Sequence, residues 1–398
     1  RDLSMDRIAK NKKLHIEKKL KILKNHEKDK DETKGKFHIQ SNFRRGYELM
    51  KDLHWIKLTQ QQRCKSDLIH TEFIEQLGNG ISVTTEMLSR YKVLSRDDME
   101  DKSWRYAPVL VATNRERIDI IHQQSIMFAI EHHTHVIRWP VNYTNWINRP
   151  KSDTLAIMND PVFWQYFVVG AEMIISSNIN TDLGIANGTM GICYSITMKE
   201  HSDTVYLRNQ IQSQPIGSII SLTDTPMSIN IELFKGQISK TKSWDRETLI
   251  KEKVVIPLIH EKKFCKKKRM MVQGGVSYGY QPSHVYTTRP FPFELGFSIT
   301  IHKAMGKTID KVILALSDRP SRFAQIDYNG FYVAMSRVKR GDDIRLLINT
   351  GVGIASLNYL KELTMSPNVK HYFDGFEKDT LKWNQNLTYE SMLKTPKK

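Results

Sequence analysis

Lys311-Val312-Ile313-Leu314-Ala315-Leu316 and, further on, Ile344-Arg345-Leu346-Leu347-Ile348 are short and almost uninterrupted apolar runs. Runs of this length without alternation suit strands covered on both faces. Between them, Phe331 to Val338 has a composition compatible with helix. Strand, helix and strand at this spacing predict an α/β fold with an open parallel sheet. A third run, Ala107-Pro108-Val109-Leu110-Val111-Ala112-Thr113-Asn114, ends on two small polar residues. After it Ile118, Ile121, Ile126 and Ala129 recur at helical spacing.

Outward from these runs the texture changes. Phe167 to Ile175 is followed by Asn187-Gly188-Thr189-Met190-Gly191-Ile192, and Asn-Gly between β-rich runs predicts a hairpin. Ile216 to Tyr286 is rich in strand formers, with a basic cluster at Lys262, Lys263, Lys266, Lys267, Lys268 and Arg269; it reads as a small β insertion with a charged loop. Trp139, Trp146 and Trp164 are expected to pack in a β-rich core. No internal repeat is visible, and 349–398 carry no readable motif.

The 398 residues, 40% hydrophobic and 26% charged, are enough for about two to three domains. No apolar run approaches the roughly 18–20 residues of a membrane span, so a place in the bilayer is not expected. Cys64, Cys193 and Cys265 lie far apart, which argues against a disulfide framework or a zinc site and for a reducing compartment. The chain opens on Arg1 followed by charge, as expected of an excised region rather than of a secretory leader. Sixty Lys+Arg against 43 Asp+Glu leave a net charge of +17, a field that recruits polyanions. Residues 1–36, with Lys, Glu and Asp alternating and few aromatics, read as a solvated arm.

Chemistry is concentrated in two stretches. Gly296 to Thr308 contains Thr300, His302 and Lys303, a hydroxyl, an imidazole and an ammonium just before a Gly turn, groups suited to phosphate or sugar contacts. Its tail, Gly306-Lys307-Thr308, imitates the end of a phosphate-binding P-loop, but Ile301 stands where that motif needs glycine and a β-rich run follows, so the P-loop reading fails. The second stretch is Tyr332-Val333-Ala334-Met335-Ser336-Arg337-Val338. Arg337 offers a planar fork matched to phosphate oxygens; the plainer alternatives are balancing the helix dipole and pairing with Asp342.

Taken in order, five segments resemble the C-terminal motor half of superfamily 1 DNA helicases of the petite-integration-frequency (Pif-type) family and its RecD-like relatives. They are Leu58-Thr59-Gln60-Gln61-Gln62-Arg63 with Phe73 to Gly80; Thr113-Asn114; Gly170-Ala171 through Asn178 to Asn187-Gly188-Thr189-Met190-Gly191; Ser298 to Thr308; and Tyr332 to Arg337. Together they span about residues 37–348. The resemblance implies a RecA-like parallel sheet over 37–215 and 291–348, interrupted at 216–290 by a small Src-homology-3-like β-barrel and followed by an extension at 349–398.

The resemblance further implies that ATP and Mg2+ are bound jointly with an N-terminal RecA-like domain that supplies the P-loop and an acidic pair. On this side Arg63 and Arg337 would be arginine fingers, with Gly306, Lys307 and Ser336 at the nucleotide. Thr113, Asn114, Asn187, Thr300, His302 and Lys303 would face single-stranded or forked DNA. Roles in repair, recombination and telomere maintenance are implied in the same way. So is a nuclear or mitochondrial location in a eukaryote, and a cytoplasmic one otherwise. Two departures stand out: Met305 occupies a position where the family usually carries Gln, and neither a P-loop nor an acidic motif II is readable. The missing motifs are expected upstream of Arg1, or else the chain is a non-catalytic nucleic-acid-binding remnant.

Overall fold

A computed structural model describes residues 56, 61–144, 161–234, 249–250, 253–259, 266–269, 285–316, 325–348 and 357–394. The arm expected at 1–36, Leu58, Thr59, Gln60, Trp146, Lys262, Lys263 and Cys265 lie outside them. The chain divides into a larger unit, Arg63–Glu75 with Val83–Glu362, and a smaller one whose described residues include Gln76–Ser82 and 363–394.

The larger unit is built on a five-stranded parallel sheet of β1 (Lys92–Val93), β2 (Val109–Val111), β3 (Ser298–Thr300), β4 (Val312–Ala315) and β5 (Ile344–Leu347), in the order β1-β5-β4-β2-β3. The three runs that predicted an open α/β sheet are its β2, β4 and β5, adjacent and in parallel register: Ile313 opposite Val109, and Val312 opposite Ile344. β2 and β4 are buried along their whole length, as uninterrupted apolar runs require. Helices α1 (Leu68–Gly78), α2 (Asn114–Glu131), α3 (Ile301–Ala304) and α4 (Tyr328–Met335) accompany the sheet. α2 begins where β2 ends, with Ile118, Ile121 and Ala129 on its buried face. α4 begins at Asp327, whose carboxylate accepts the Gly330 N–H as an N-cap.

A six-stranded antiparallel sheet orders Leu249–Ile250, Lys253–Ile259, Ser228–Leu233, Met190–Thr197, Glu172–Ile175 and Phe293–Leu295. Val136–Pro140 sits between Trp164–Phe167 and Ile219–Ser221, and Val285–Arg289 between Lys266–Arg269 and Asn142–Thr144. The β-rich stretch expected to stand alone at 216–290 therefore does not. Ser228–Leu233 pairs with Met190–Thr197, and Ile219–Ser221 with Val136–Pro140, both outside the expected boundary. Composition marks strand formers but not their partners, and these partners lie far away in the sequence.

The run Phe167 to Ile175 is likewise not one strand. The chain turns at Val168–Ala171, closed by the Ala171 N–H on the Val168 carbonyl, and passes from the three-stranded sheet to the six-stranded one. The expected hairpin exists, with Ile174 opposite Met190, but its connection runs through 176–189 rather than through Asn187-Gly188 alone. Ala186 to Thr189 is a turn of its own, with Gly188 at φ +98°, and it is stitched back by the Gly188 N–H on the Ile175 carbonyl. Trp139 is fully buried, edge-on to Phe291 at 5.7 Å, as expected of a packing tryptophan. Trp164 is half-buried with the Arg138 guanidinium 4.1 Å over its ring.

In the smaller unit the helices Pro367–Asp374 and Gln385–Lys394 pack together, with His371 Nδ1 2.8 Å from Ser391 Oγ and a bridge between Phe376 and Trp383. No described helix is long and apolar enough to cross a membrane.

Candidate functional site

The turn Met305–Thr308, between α3 and β4, joins two groups of side chains. Gly306 takes φ +78°, and a Cβ there would meet nothing within 4 Å, so the position needs glycine for its backbone rather than for space. No helix starts at Gly306-Lys307-Thr308, and a strand follows at Val312, consistent with the failed P-loop reading.

On one side lie the arginines. Arg63 donates from Nε to Thr308 Oγ1 at 3.1 Å and from a terminal nitrogen to the Ser336 carbonyl at 2.6 Å. Arg337 donates from Nε to the Val333 carbonyl at 2.8 Å, and from its terminal nitrogens to Ser336 Oγ at 2.6 Å and the Lys307 carbonyl at 3.5 Å. Both guanidiniums thus meet at Ser336, though the two residues are far apart in sequence. Burial, and then the nearby charge of Arg63, push the Arg337 guanidinium below its ordinary value. The plainer reading of Arg337 holds in part, since it caps carbonyls at the end of α4; Asp342, the other suggested partner, pairs instead with Lys92 at 3.8 Å. Three of the five N–H donors of Arg337 are used on neutral oxygens. The Ser336 hydroxyl also donates to the Val333 carbonyl, so its bonds are spent inside the protein.

The segment after Arg63 is registered against the end of α4 by groups the sequence did not single out. Cys64 Sγ donates to the Val338 carbonyl at 3.4 Å, and Asp67 accepts the Gly341 N–H at 2.9 Å and the His70 N–H at 3.0 Å. His70 Nδ1 lies 2.8 Å from the Tyr91 hydroxyl. Burial alone would raise the Asp67 carboxyl, but the amides of His70 and Gly341 outweigh it and hold the carboxyl below the ordinary range.

On the other side is a cleft of about 320 Å³, whose lining includes Asn187, Gly188, Glu294, His302, Lys303 and Lys307. The structure thus brings together Asn187, His302 and Lys303, expected at DNA, with Lys307, expected at the nucleotide. The Lys307 ammonium hangs over Gly188, where a Cβ would sit 3.3 Å from Lys307 Cε. Lys307 therefore belongs by position to the cleft and only by its carbonyl to the arginines. Burial, then the charge of Lys303, lower its pKa below the ordinary lysine value.

Lys303 is paired with Glu294, whose other oxygen takes an Arg117 terminal nitrogen at 3.1 Å. Arg117 Nε in turn reaches Asn114 Oδ1 at 3.4 Å. Thr113 and Thr300 do not line the cleft. The Thr113 hydroxyl accepts the Glu116 N–H in a capping box that starts α2, and Thr300 is buried just ahead of α3. Arg117 and Glu294 were missed in the sequence, although a carboxylate inside the apolar run Phe293-Glu294-Leu295 was a signal that could have found them.

The open parallel α/β sheet thus carries, on the two sides of one turn, an arginine pair and a cleft lined by Lys303, Lys307 and Glu294. Solved structures to which the chain is similar include Pif1 helicases. They include Bacteroides Pif1 bound to ssDNA, at 15% identity and TM-score 0.49, covering 89% of this chain and 66% of that one. Another is Pif1 helicase from Bacteroides in complex with ADP-AlF3 and ssDNA, at 15% identity and TM-score 0.46, with the same coverage of 89% and 66%. Pif1 helicase from Candida albicans has 15% identity and TM-score 0.40, over 76% of this chain and 58% of that one. The chain spans 58–66% of the length of these helicases. Neither a protein-family model nor a curated protein matches the chain.

Proposed function

We propose that the chain is the C-terminal motor half of a Pif-type DNA helicase, an ATP-dependent enzyme that translocates on single-stranded DNA and unwinds forked duplex. The observation that carries this reading is the meeting of Arg63 and Arg337 at Ser336, from segments that resemble two separate motifs of that family. The Arg337 guanidinium, held on neutral oxygens, keeps its positive charge for an incoming phosphoryl group.

The donor set fits a triphosphate. Arg63 and Arg337 would hold its terminal oxygens and stabilise the charge that builds on them, while Gly306 keeps the turn open beside them. Magnesium, which polarises the triphosphate when bound, would take its oxygen ligands from an N-terminal RecA-like domain, and the same domain would supply a P-loop lysine to the phosphates. Among the described residues no group of three or more His, Cys, Asp or Glu could hold a metal. In the cleft, Lys307, His302 and Asn187 would contact the phosphates of a single strand, with Lys303 beside them. Loss and recovery of grip on these contacts, as the two motor domains close and open, would move the strand. A nuclear or mitochondrial place in a eukaryote, or the cytoplasm elsewhere, and a part in repair, recombination or telomere maintenance go with this reading.

The test is DNA-stimulated ATP hydrolysis by the full-length protein. Arg337→Ala should lower turnover by about a thousandfold or more and leave oligo(dT) affinity within about twofold, since a guanidinium at the nucleotide adds no DNA phosphate contact. Unchanged turnover in that variant overturns the reading. Full-length protein that binds DNA but hydrolyses no ATP favours the non-catalytic remnant, to which the thioether at Met305, a weak acceptor where the family carries an amide, already points.

A further inference from the structure

Glu294 lies at the centre of a chain of charges that crosses three elements. From its own strand it takes Lys303 on α3 with one oxygen and Arg117 on α2 with the other, and Arg117 continues to Asn114. Its side chain is only 16% exposed, against 36% for Lys303, so the carboxylate is fixed in the wall while the ammonium has a path to solvent. Two cations, Arg117 and Lys303, pair with this carboxylate, and with Lys307 beside them the cleft keeps a net positive charge even with Glu294 ionised. Lys307 points into the same space and makes no ion pair among the described residues.

We propose that Glu294 is a positioning residue that limits the affinity of the cleft for nucleic-acid phosphate by holding Lys303 in an internal ion pair until a strand displaces it. The inference rests on the proposed DNA reading of the cleft and deepens it. Lys307 makes the first phosphate contact. Lys303 then exchanges its carboxylate partner for a phosphate, and Glu294 keeps Arg117 as its counter-charge, so no buried charge is left alone. An exchange of one anion for another lowers the net gain of binding and makes release easier, which suits a protein that must let go of a strand repeatedly.

The experiment is titration of this chain and its variants with fluorescein-labelled oligo(dT) across a salt series. Glu294→Gln removes the competing charge but keeps a hydrogen-bonding amide for Arg117. It should tighten binding by about three- to tenfold at low salt and leave the salt slope unchanged, because Lys303 reaches the phosphate in both proteins and only the cost of breaking its internal ion pair is removed. Lys303→Ala should weaken binding, and Glu294→Gln added to Lys303→Ala should bring no gain.

Binding by Glu294→Gln that equals or falls below that of wild type overturns the inference alone and leaves the DNA reading standing. A gain that persists without Lys303 also overturns it. No binding by either protein overturns both, whereas binding by Glu294→Gln only supports both. Should that variant fail to fold, the Lys303 ammonium of the wild-type chain can be followed by 15N NMR. Its resonance should move on saturation with oligo(dT), and one that stays put sinks the proposal.

Discussion

The two sides of the Met305–Thr308 turn handle positive charge in opposite ways. On the arginine side the Arg337 charge is held by the carbonyls of Val333 and Lys307 and the hydroxyl of Ser336, and Arg63 donates to Thr308 and Ser336 beside it. On the cleft side, Lys303 in the lining and Arg117 behind it are held by one carboxylate, that of Glu294. Neutral acceptors orient a cation without cancelling its field, whereas a carboxylate orients and cancels at once. The first arrangement suits a fixed electrostatic role and the second an exchangeable one. The planar guanidinium of Arg337 suits the first because its fork donates to several acceptors in one geometry; the Lys303 ammonium, on a flexible stem, is the exchangeable group of the second.

The comparison breaks most sharply at Arg337, where the proposal requires loss of turnover and retention of DNA binding. Arg63→Ala should follow in the full-length protein with a loss of about a hundred- to a thousandfold in turnover, the usual effect of removing one preorganised donor; a loss in DNA affinity instead would place Arg63 with the cleft. Next comes Asp67→Ala, which frees the Gly341 and His70 amides and should cost about 1–2 kcal/mol in urea unfolding. Because the Asp67 carboxyl is held below its ordinary range, its contribution is complete above the unfolded carboxyl value near pH 4 and is lost as pH falls through the lower folded value. The acid limb of the wild-type stability curve should therefore flatten in Asp67→Ala.

The smallest effects sharpen the comparison at the turns. Gly306→Ala should cost about 1 kcal/mol, from backbone alone, since a Cβ there meets nothing. Gly188→Ala has the same kind of backbone cost and also pushes on Lys307, so it alone should weaken oligo(dT) binding. Equal DNA affinity in the two variants would detach Lys307 from the cleft.

Much of the sheet was legible because each buried strand carries its own apolar run. β2, β4 and β5 could be read one at a time, and the helix between β4 and β5 by composition. β3 was not read as a strand: Ser298-Ile299-Thr300 has polar residues in two of its three positions, and both are buried, Ser298 with its hydroxyl on the Val109 carbonyl. The β module was legible only as strand-forming material. Its partners, such as Ile231 opposite Cys193 and Phe293 opposite Ile175, are chosen by packing between distant segments.

Of the site, the sequence by itself determined which chemistries are present: two arginines in separate motifs, a hydroxyl, an imidazole and an ammonium before Gly306, and an excess of positive charge over the whole chain. Residue type sets charge and donor geometry whatever the fold. Only the tertiary structure decided which of these groups stand together. It placed Lys307 with Asn187 in the cleft, spent Thr113 on a helix cap, and set Glu294 between Arg117 and Lys303. The reason is physical: electrostatic pairing falls off within a few ångströms, and distances of that size between residues far apart in the chain are fixed by packing, not by spacing along it.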